Sequence, residues 1–223
     1  MNILYQLTTL IMATSMTMCT TPKETESPKT VPLNYTVDQT NLEGLSVAYF
    51  ASGCFWCVEA IYESVDGVEE AISGYAGGHT DNPTYQSIGT GTTGHAETVA
   101  VYYNPEKVSF STLVDVFYGS QDPTTIGQRP DFGSQYRSII FYSNDDEKKI
   151  AEEKKAAIAA SGKYSDPIVT EITLLEKFYE AEEYHQNYER RNPNQRYVVA
   201  VSIPRLKRFQ AKFPEILKKE THE

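Results

Sequence analysis

The chain has 223 residues and 40% hydrophobic content, enough for one domain with a real core and some residues left over. Its 30 acidic residues outnumber 20 basic ones for a formal charge of -10, which argues against a nucleic-acid surface, because phosphate contacts need clustered Lys and Arg. Three cysteines cannot build the disulfide framework of a small secreted scaffold, so the close pair Cys54 and Cys57, around the only tryptophan, reads as reactive or metal-binding.

Residues 3–18, "ILYQLTTLIMATSMTM", are mostly apolar but too short to cross a bilayer, and fit the apolar segment of a signal peptide. Cys19 follows, and then a polar Pro/Thr/Glu stretch of linker composition up to residue 44. The arrangement resembles a bacterial lipoprotein leader (residues 1–19), with Cys19 as the lipidated residue and a membrane tether. Export to the periplasm or a membrane-anchored form is the expectation, and a cytoplasmic chain the alternative. A catalytic domain is expected over 45–215, with a polar tail at 216–223.

Within that domain "LSVAYFAS" has the length and composition of a strand. "CFWCVEAIYESVDG" carries Phe55, Val58, Ile61, Tyr62 and Val65 at helical spacing, with Gly67 as a stop. From Ser73 to Glu97 neither period survives, which predicts a loop packed by its own aromatics. "ETVAVYYN" alternates like a strand, and "SFSTLVDVFYGS" reads as a helix opened by Ser109 or Ser111. After the turn-rich "QDPTTIGQRPDFGSQ", "YRSIIFYS" predicts a strand, and residues 144–162 a helix capped by Asn144 and ended by Gly162. "IVTEITLLE" predicts a further strand, "FYEAEEYHQNYERR" a short helix and loop, "YVVAVSI" an apolar strand and "RLKRFQAKFPEILKK" a C-terminal helix. The expected class is α+β, a two-layer plait of helices on a mixed sheet with long irregular loops.

A helix beginning near Cys54 would place its thiol beside unpaired backbone N–H groups, where the dipole favours an anion, so a lowered Cys54 pKa is expected. Three residues on, Cys57 lies about 5 Å away between Cα atoms, inside the window a disulfide requires. The pair therefore suits a cycle in which Cys54 attacks, becomes a sulfenic acid, and Cys57 condenses with it. A zinc half-site and a pair of buried structural thiols are the alternatives. Zinc would need two more ligands from four histidines, none at ligand-motif spacing, so no metal and no cofactor are expected.

The strings "GCFWCVE", "GYAGGHTDNPTYQSI", "TGHAETVAVYYNPEKVSF", "PDFGSQYRS" and "EEYHQNY", in this order, closely resemble the class A peptide methionine sulfoxide reductases, from about residue 46 to about 205. The resemblance implies an α+β enzyme that reduces the S epimer of methionine sulfoxide, free or in proteins, with thioredoxin as reductant and a role in protein repair. It also implies the site: Cys54 as nucleophile, Phe55 and Trp56 as apolar walls for the substrate methyl, and Glu97 as the acid serving the sulfoxide oxygen. Tyr85, Asp131 and Tyr136 match the polar groups around that oxygen. Many members have Gly where Cys57 stands, so the resolving role of Cys57 follows from a variant motif. Chemically, a sulfoxide oxygen leaves only when protonated, and an apolar wall would keep Glu97 neutral for that purpose. The rivals are a general thiol-disulfide oxidoreductase, which gives Glu97 no purpose, and a binding domain with the cysteine pair as a structural bridge, which would resist thioredoxin.

Overall fold

The alternation of small and large apolar residues in "SVAYFAS" makes the strand at the centre of the molecule, β1 (Ser46–Ser52). In the computed structural model, which describes Leu42 and residues 44–219, β1 is followed by α1 (Phe55–Glu63), β2 (Val68–Ala76), α2 (Tyr85–Ile88) and β3 (Ala96–Tyr103). Then come α3 (Phe110–Gly119), β4 (Ser138–Tyr142), α4 (Asp145–Ala160), β5 (Glu171–Leu174), β6 (Phe178–Glu180), α5 (Tyr188–Arg191) and α6 (Ile203–Lys212). The strands form one sheet in the order β5-β4-β1-β3-β2-β6; β4 and β5 are parallel and the other pairs antiparallel. The α+β class with a mixed sheet is thus the observed one. The leader at 1–19, with Cys19, and nearly all of the linker at 20–44 lie outside the described residues.

The two faces of β1 serve different partners. Ala48 and Phe50 face the helices, where Phe50 stacks on Tyr62 of α1 at 4.9 Å and lies 6.0 Å and 5.7 Å from Phe110 and Phe117 of α3. Ala51 joins Ala76, Ala96, Ile139 and Phe141 in a second, smaller cluster. Two of the expected caps are present: the Ser109 side chain accepts from Thr112 N–H, and that of Asn144 from Glu147 N–H. A row of acids, Asp145, Asp146 and Glu147, sits in the first turn of α4, where the helix dipole favours negative charge.

Several expectations fail. Residues 73–76, read as loop, complete β2; the misleading residue is Gly74, where a Cβ would meet the Phe178 ring at 2.2 Å and Tyr179 O at 2.4 Å. Gly74 is a place of close backbone approach within a strand rather than a loop signal. Its neighbour there is β6, itself inside a segment read as helix and loop. Residues 197–203 are helical, not a strand: a π-helical turn, Val198–Ser202, runs directly into α6. The buried positions Val198, Ser202, Arg205 and Phe209 recur at helical spacing across that junction, and a short apolar run viewed alone hides this period. The C-terminal helix also stops at Lys212, ahead of Phe213 and Pro214. Residues 216–218, read as the start of the tail, return to the end of α1: Asp66 N–H donates to Ile216 O at 2.8 Å and Lys218 N–H to Ser64 O at 2.9 Å.

The balance of core against caps sets an expectation for stability. Phe50→Ala should cost roughly 3–5 kcal/mol, and Asn144→Ala only about 1 kcal/mol, measured as the shift in urea unfolding midpoint at constant slope.

Candidate active site

Cys54 stands between β1 and α1, as the residue before the helix, with φ -58° and ψ 124°. The chain can turn there because Gly53 takes φ +79°; a Cβ on Gly53 would also lie 2.9 Å from the Gln128 side chain. Gly53 N–H donates to Tyr136 O at 3.2 Å, which brings the loop after α3 against the start of α1.

Around this turn the structure gathers the residues expected from sequence. Phe55 is fully buried, its ring 6.3 Å from that of Tyr85 and nearly parallel to it. Trp56, partly buried, stacks on Tyr188 at 3.7 Å. Glu97 comes from β3, opposite Tyr75 of β2, and is 2% exposed; its Oε2 accepts the Phe55 backbone N–H at 2.9 Å. Tyr85, the first residue of α2, and Tyr136 rise around it, each pushed above the ordinary phenol pKa by burial and by the nearby Glu97, Tyr85 to about 12. Asp131 accepts a hydrogen bond from Tyr197 OH and faces the same group of side chains. Among the described residues no group of three or more His, Cys, Asp or Glu is placed to hold a metal ion.

Comparison with known proteins agrees with this geometry. Residues 46–217 match the family model described as peptide methionine sulfoxide reductase. This chain belongs to that family. The peptide methionine sulfoxide reductase MsrA of Polynucleobacter asymbioticus is 45% identical over 178 residues, covering 79% of this chain and 94% of the relative. MsrA 1 of Rhodopirellula baltica is 47% identical over 176 residues, 78% of this chain and 91% of the relative. Among solved structures, reduced Mxr1 from Saccharomyces cerevisiae superposes with a TM-score of 0.62 at 36% identity, covering 68% of this chain and 87% of that one. Methionine sulfoxide reductase A of Corynebacterium diphtheriae gives 0.60 at 36% identity, covering 69% and 77%.

The reductase therefore is an oxidoreductase, and its thiols are where the structure corrects the sequence reading. Cys54 is not the low-pKa thiol: burial raises it well above its ordinary value, and the Cys57 hydrogen bond and the Glu97 carboxyl raise it further. The physical reason lies in the helix start. Its Phe55 N–H, expected to steady a thiolate, is occupied by Glu97. Cys57 instead falls to about 6; the hydrogen bond from Cys54 lowers it most, against burial, and Arg205, Ser202 and Tyr197 add to the fall. Of the two thiols, Cys57 is thus the one whose surroundings favour the thiolate. Both thiols are free, 6% and 2% exposed.

Several contributors carry no chemistry in the reading from sequence. His185 accepts the Trp56 indole N–H through Nδ1 at 3.1 Å and packs 4.9 Å from the Phe55 ring, so it holds both rings in place. Burial holds it neutral by lowering its pKa to about 4. Glu182 accepts Tyr75 OH at 2.7 Å and Tyr85 N–H at 3.0 Å. Buried Glu59 accepts from Ser73 Oγ and from Asn187 N–H, which ties α1 to β2 and to the chain between His185 and Tyr188. The string "EEYHQNY" was the available signal for the first two, but residue type alone does not say which atom bonds which.

Glu97 is raised to about 8, mainly by burial, with Asp131 and Cys57 adding and the Phe55 N–H opposing. Between about pH 4.5 and 8 the unfolded carboxyl is ionised while the folded one keeps its proton, so this group destabilises the fold increasingly as pH rises through that window. Glu97→Gln, which retains an acceptor for Phe55 N–H, should therefore melt higher than the parent at pH 8, with the gap closing by pH 4.5, as read by calorimetry across the window.

Proposed function

We propose that this reductase reduces the S epimer of methionine sulfoxide, free or in proteins, to methionine, with Cys54 as nucleophile, Glu97 as acid and Cys57 as resolving thiol. One observation carries this reading: a carboxyl kept neutral near pH 7 is hydrogen-bonded to the first N–H of the helix that begins just after the nucleophilic cysteine. Moving the shared proton from Cys54 to Cys57 along their hydrogen bond exposes the Cys54 thiolate to the sulfoxide sulfur. The oxygen takes the Glu97 proton, methionine departs, and Cys54 is left as a sulfenic acid. Cys57 then attacks that sulfur; an S–S bond forms, the S–O bond breaks, and the oxygen leaves as water. Its two protons are the one held by the thiol pair and the one held by Glu97. Phe55 and Trp56 form the wall for the substrate methyl, and the Tyr85 and Tyr136 hydroxyls with Asp131 surround the oxygen. A thioredoxin-type dithiol returns the disulfide to its reduced form.

Neutral Glu97 also disfavours a general disulfide reductase, whose thiol exchange needs no buried acid. The exported, Cys19-tethered form suggested by the leader belongs to the same proposal, in which sulfoxides formed in exported proteins are the substrate class; mass spectrometry of the mature N-terminus tests it.

The decisive assay supplies each resolved epimer of a methionine sulfoxide peptide with a thiol reductant: the S epimer should be consumed and the R epimer persist. Glu97→Gln should lower turnover by about 10² to 10⁴ while the fold is retained; wild-type turnover would remove the acid role. Cys57→Ser should release one equivalent of methionine and then stall with thioredoxin, and sustained turnover would assign resolution to another thiol.

A further inference from the structure

Arg205 of α6 is a buried cation, 7% exposed, that forms no ion pair among the described residues; its charge acts at longer range on Asp131, whose carboxyl it lowers against the rise caused by burial. Its guanidinium is fixed by neutral acceptors: Nε donates to Ser120 O at 3.0 Å, and Nη2 to Ser52 O at 3.0 Å and Ser52 Oγ at 3.3 Å. A guanidinium cannot shed its proton, and a charge taken out of water needs an opposing one. Three hydrogen bonds aim it at the end of β1 from behind the Gly53–Cys54 turn, with Nη1 3.4 Å from the position a Gly53 Cβ would take. One turn earlier, Ser202 is fully buried with its Oγ 3.0 Å from Cys57 Sγ. The π-helical turn leading into α6 thus delivers a hydroxyl to the Cys57 sulfur and a fixed positive charge to its surroundings.

We infer that Ser202 and Arg205 are positioning residues for the resolving step, stabilising the Cys57 thiolate that forms as the proton it received from Cys54 passes to the departing sulfenic oxygen. The inference rests on the proposed resolving role of Cys57. In the reduced pair the strongest support for the Cys57 charge is the Cys54 thiol, which donates to it. Once Cys54 is a sulfenic acid, that S–H no longer exists. What remains facing Cys57 is Ser202 and Arg205 from the C-terminal helix and Tyr197, whose hydroxyl lies 4.0 Å away and bonds Asp131. On the opposing side are Glu189 of α5, which burial raises to about 7, and Glu97 of β3, which has by then given its proton to the oxygen and as a carboxylate resists a thiolate, so the support of Ser202 and Arg205 is needed against it. A thiolate so held is the nucleophile toward the sulfenic sulfur and, in the disulfide, the better leaving group when an external dithiol attacks the more exposed Cys54. In that exchange Cys57 departs with the electron pair of the broken S–S bond, and the external sulfur bonds to Cys54.

The direct test titrates the Cys57 thiolate by its ultraviolet absorbance in a Cys54→Ser parent, where the serine keeps a hydrogen-bond donor but removes the other thiol. Arg205→Met should raise the midpoint by about one unit, Ser202→Ala by less, and Arg205→Lys should restore most of the Arg205→Met shift. With both cysteines present, mixing with one equivalent of methionine sulfoxide peptide should show disulfide formation slowed about tenfold in Arg205→Met, and more than methionine release is slowed. Unchanged midpoints in Arg205→Met and Ser202→Ala would overturn the inference. If Arg205→Met does not fold, Ser202→Ala decides: a raised midpoint supports it and an unmoved one overturns it. Sustained recycling by Cys57→Ser would instead remove the resolving role while leaving the titration result intact, so the two failures are distinguishable.

Discussion

The hydrogen bond from the Phe55 backbone N–H to Glu97 Oε2 is the constraint on which the site depends. A helix start leaves N–H groups without partners, and burial makes a missing partner costly. Here the acceptor is a carboxyl from the middle of the sheet, so the same bond closes the helix, buries the acid and places it beside Cys54. Because the carboxyl is desolvated it retains its proton near neutrality. The helix terminus, a general site for anions, is used here to seat an acid instead of a thiolate.

That choice redistributes charge across the turn. With Glu97 occupying the helix start, the single negative charge of the thiol pair moves toward Cys57, where Ser202, Tyr197 and Arg205 converge. In the proposed reaction Cys54 gains its charge by a short proton transfer within the pair, and the protons that turn a sulfoxide oxygen into water come from that pair and from Glu97. The remaining architecture supports this: β1 and the Gly53 turn position Cys54, β3 brings Glu97, α2 brings Tyr85, and the segment from Glu182 to Tyr188 braces the aromatic walls through His185.

Much of this was legible locally. Helix periodicity over 54–67, the caps at Ser109 and Asn144, the strand composition of β1 and the alternation of β3 were all readable because each depends on neighbours within a few residues. The errors fall where distant chain decides. Gly74 looks like a loop residue until β6 lies across it, and "YVVAVSI" looks like a strand until Val198, Ser202, Arg205 and Phe209 are seen to face one core. Its mistaken assignment also hid Ser202 and Arg205, since the seat of Cys57 exists only when that segment is helical.

The sequence by itself determined the family and the α+β class, because these reside in residue types and short spacings. Only the tertiary structure decided which cysteine holds the charge. Ionisation depends on burial and on groups far apart in the chain, Arg205 and Ser202 more than a hundred positions from Cys57 and Glu97 42 positions from Phe55 N–H, and no local pattern carries that information.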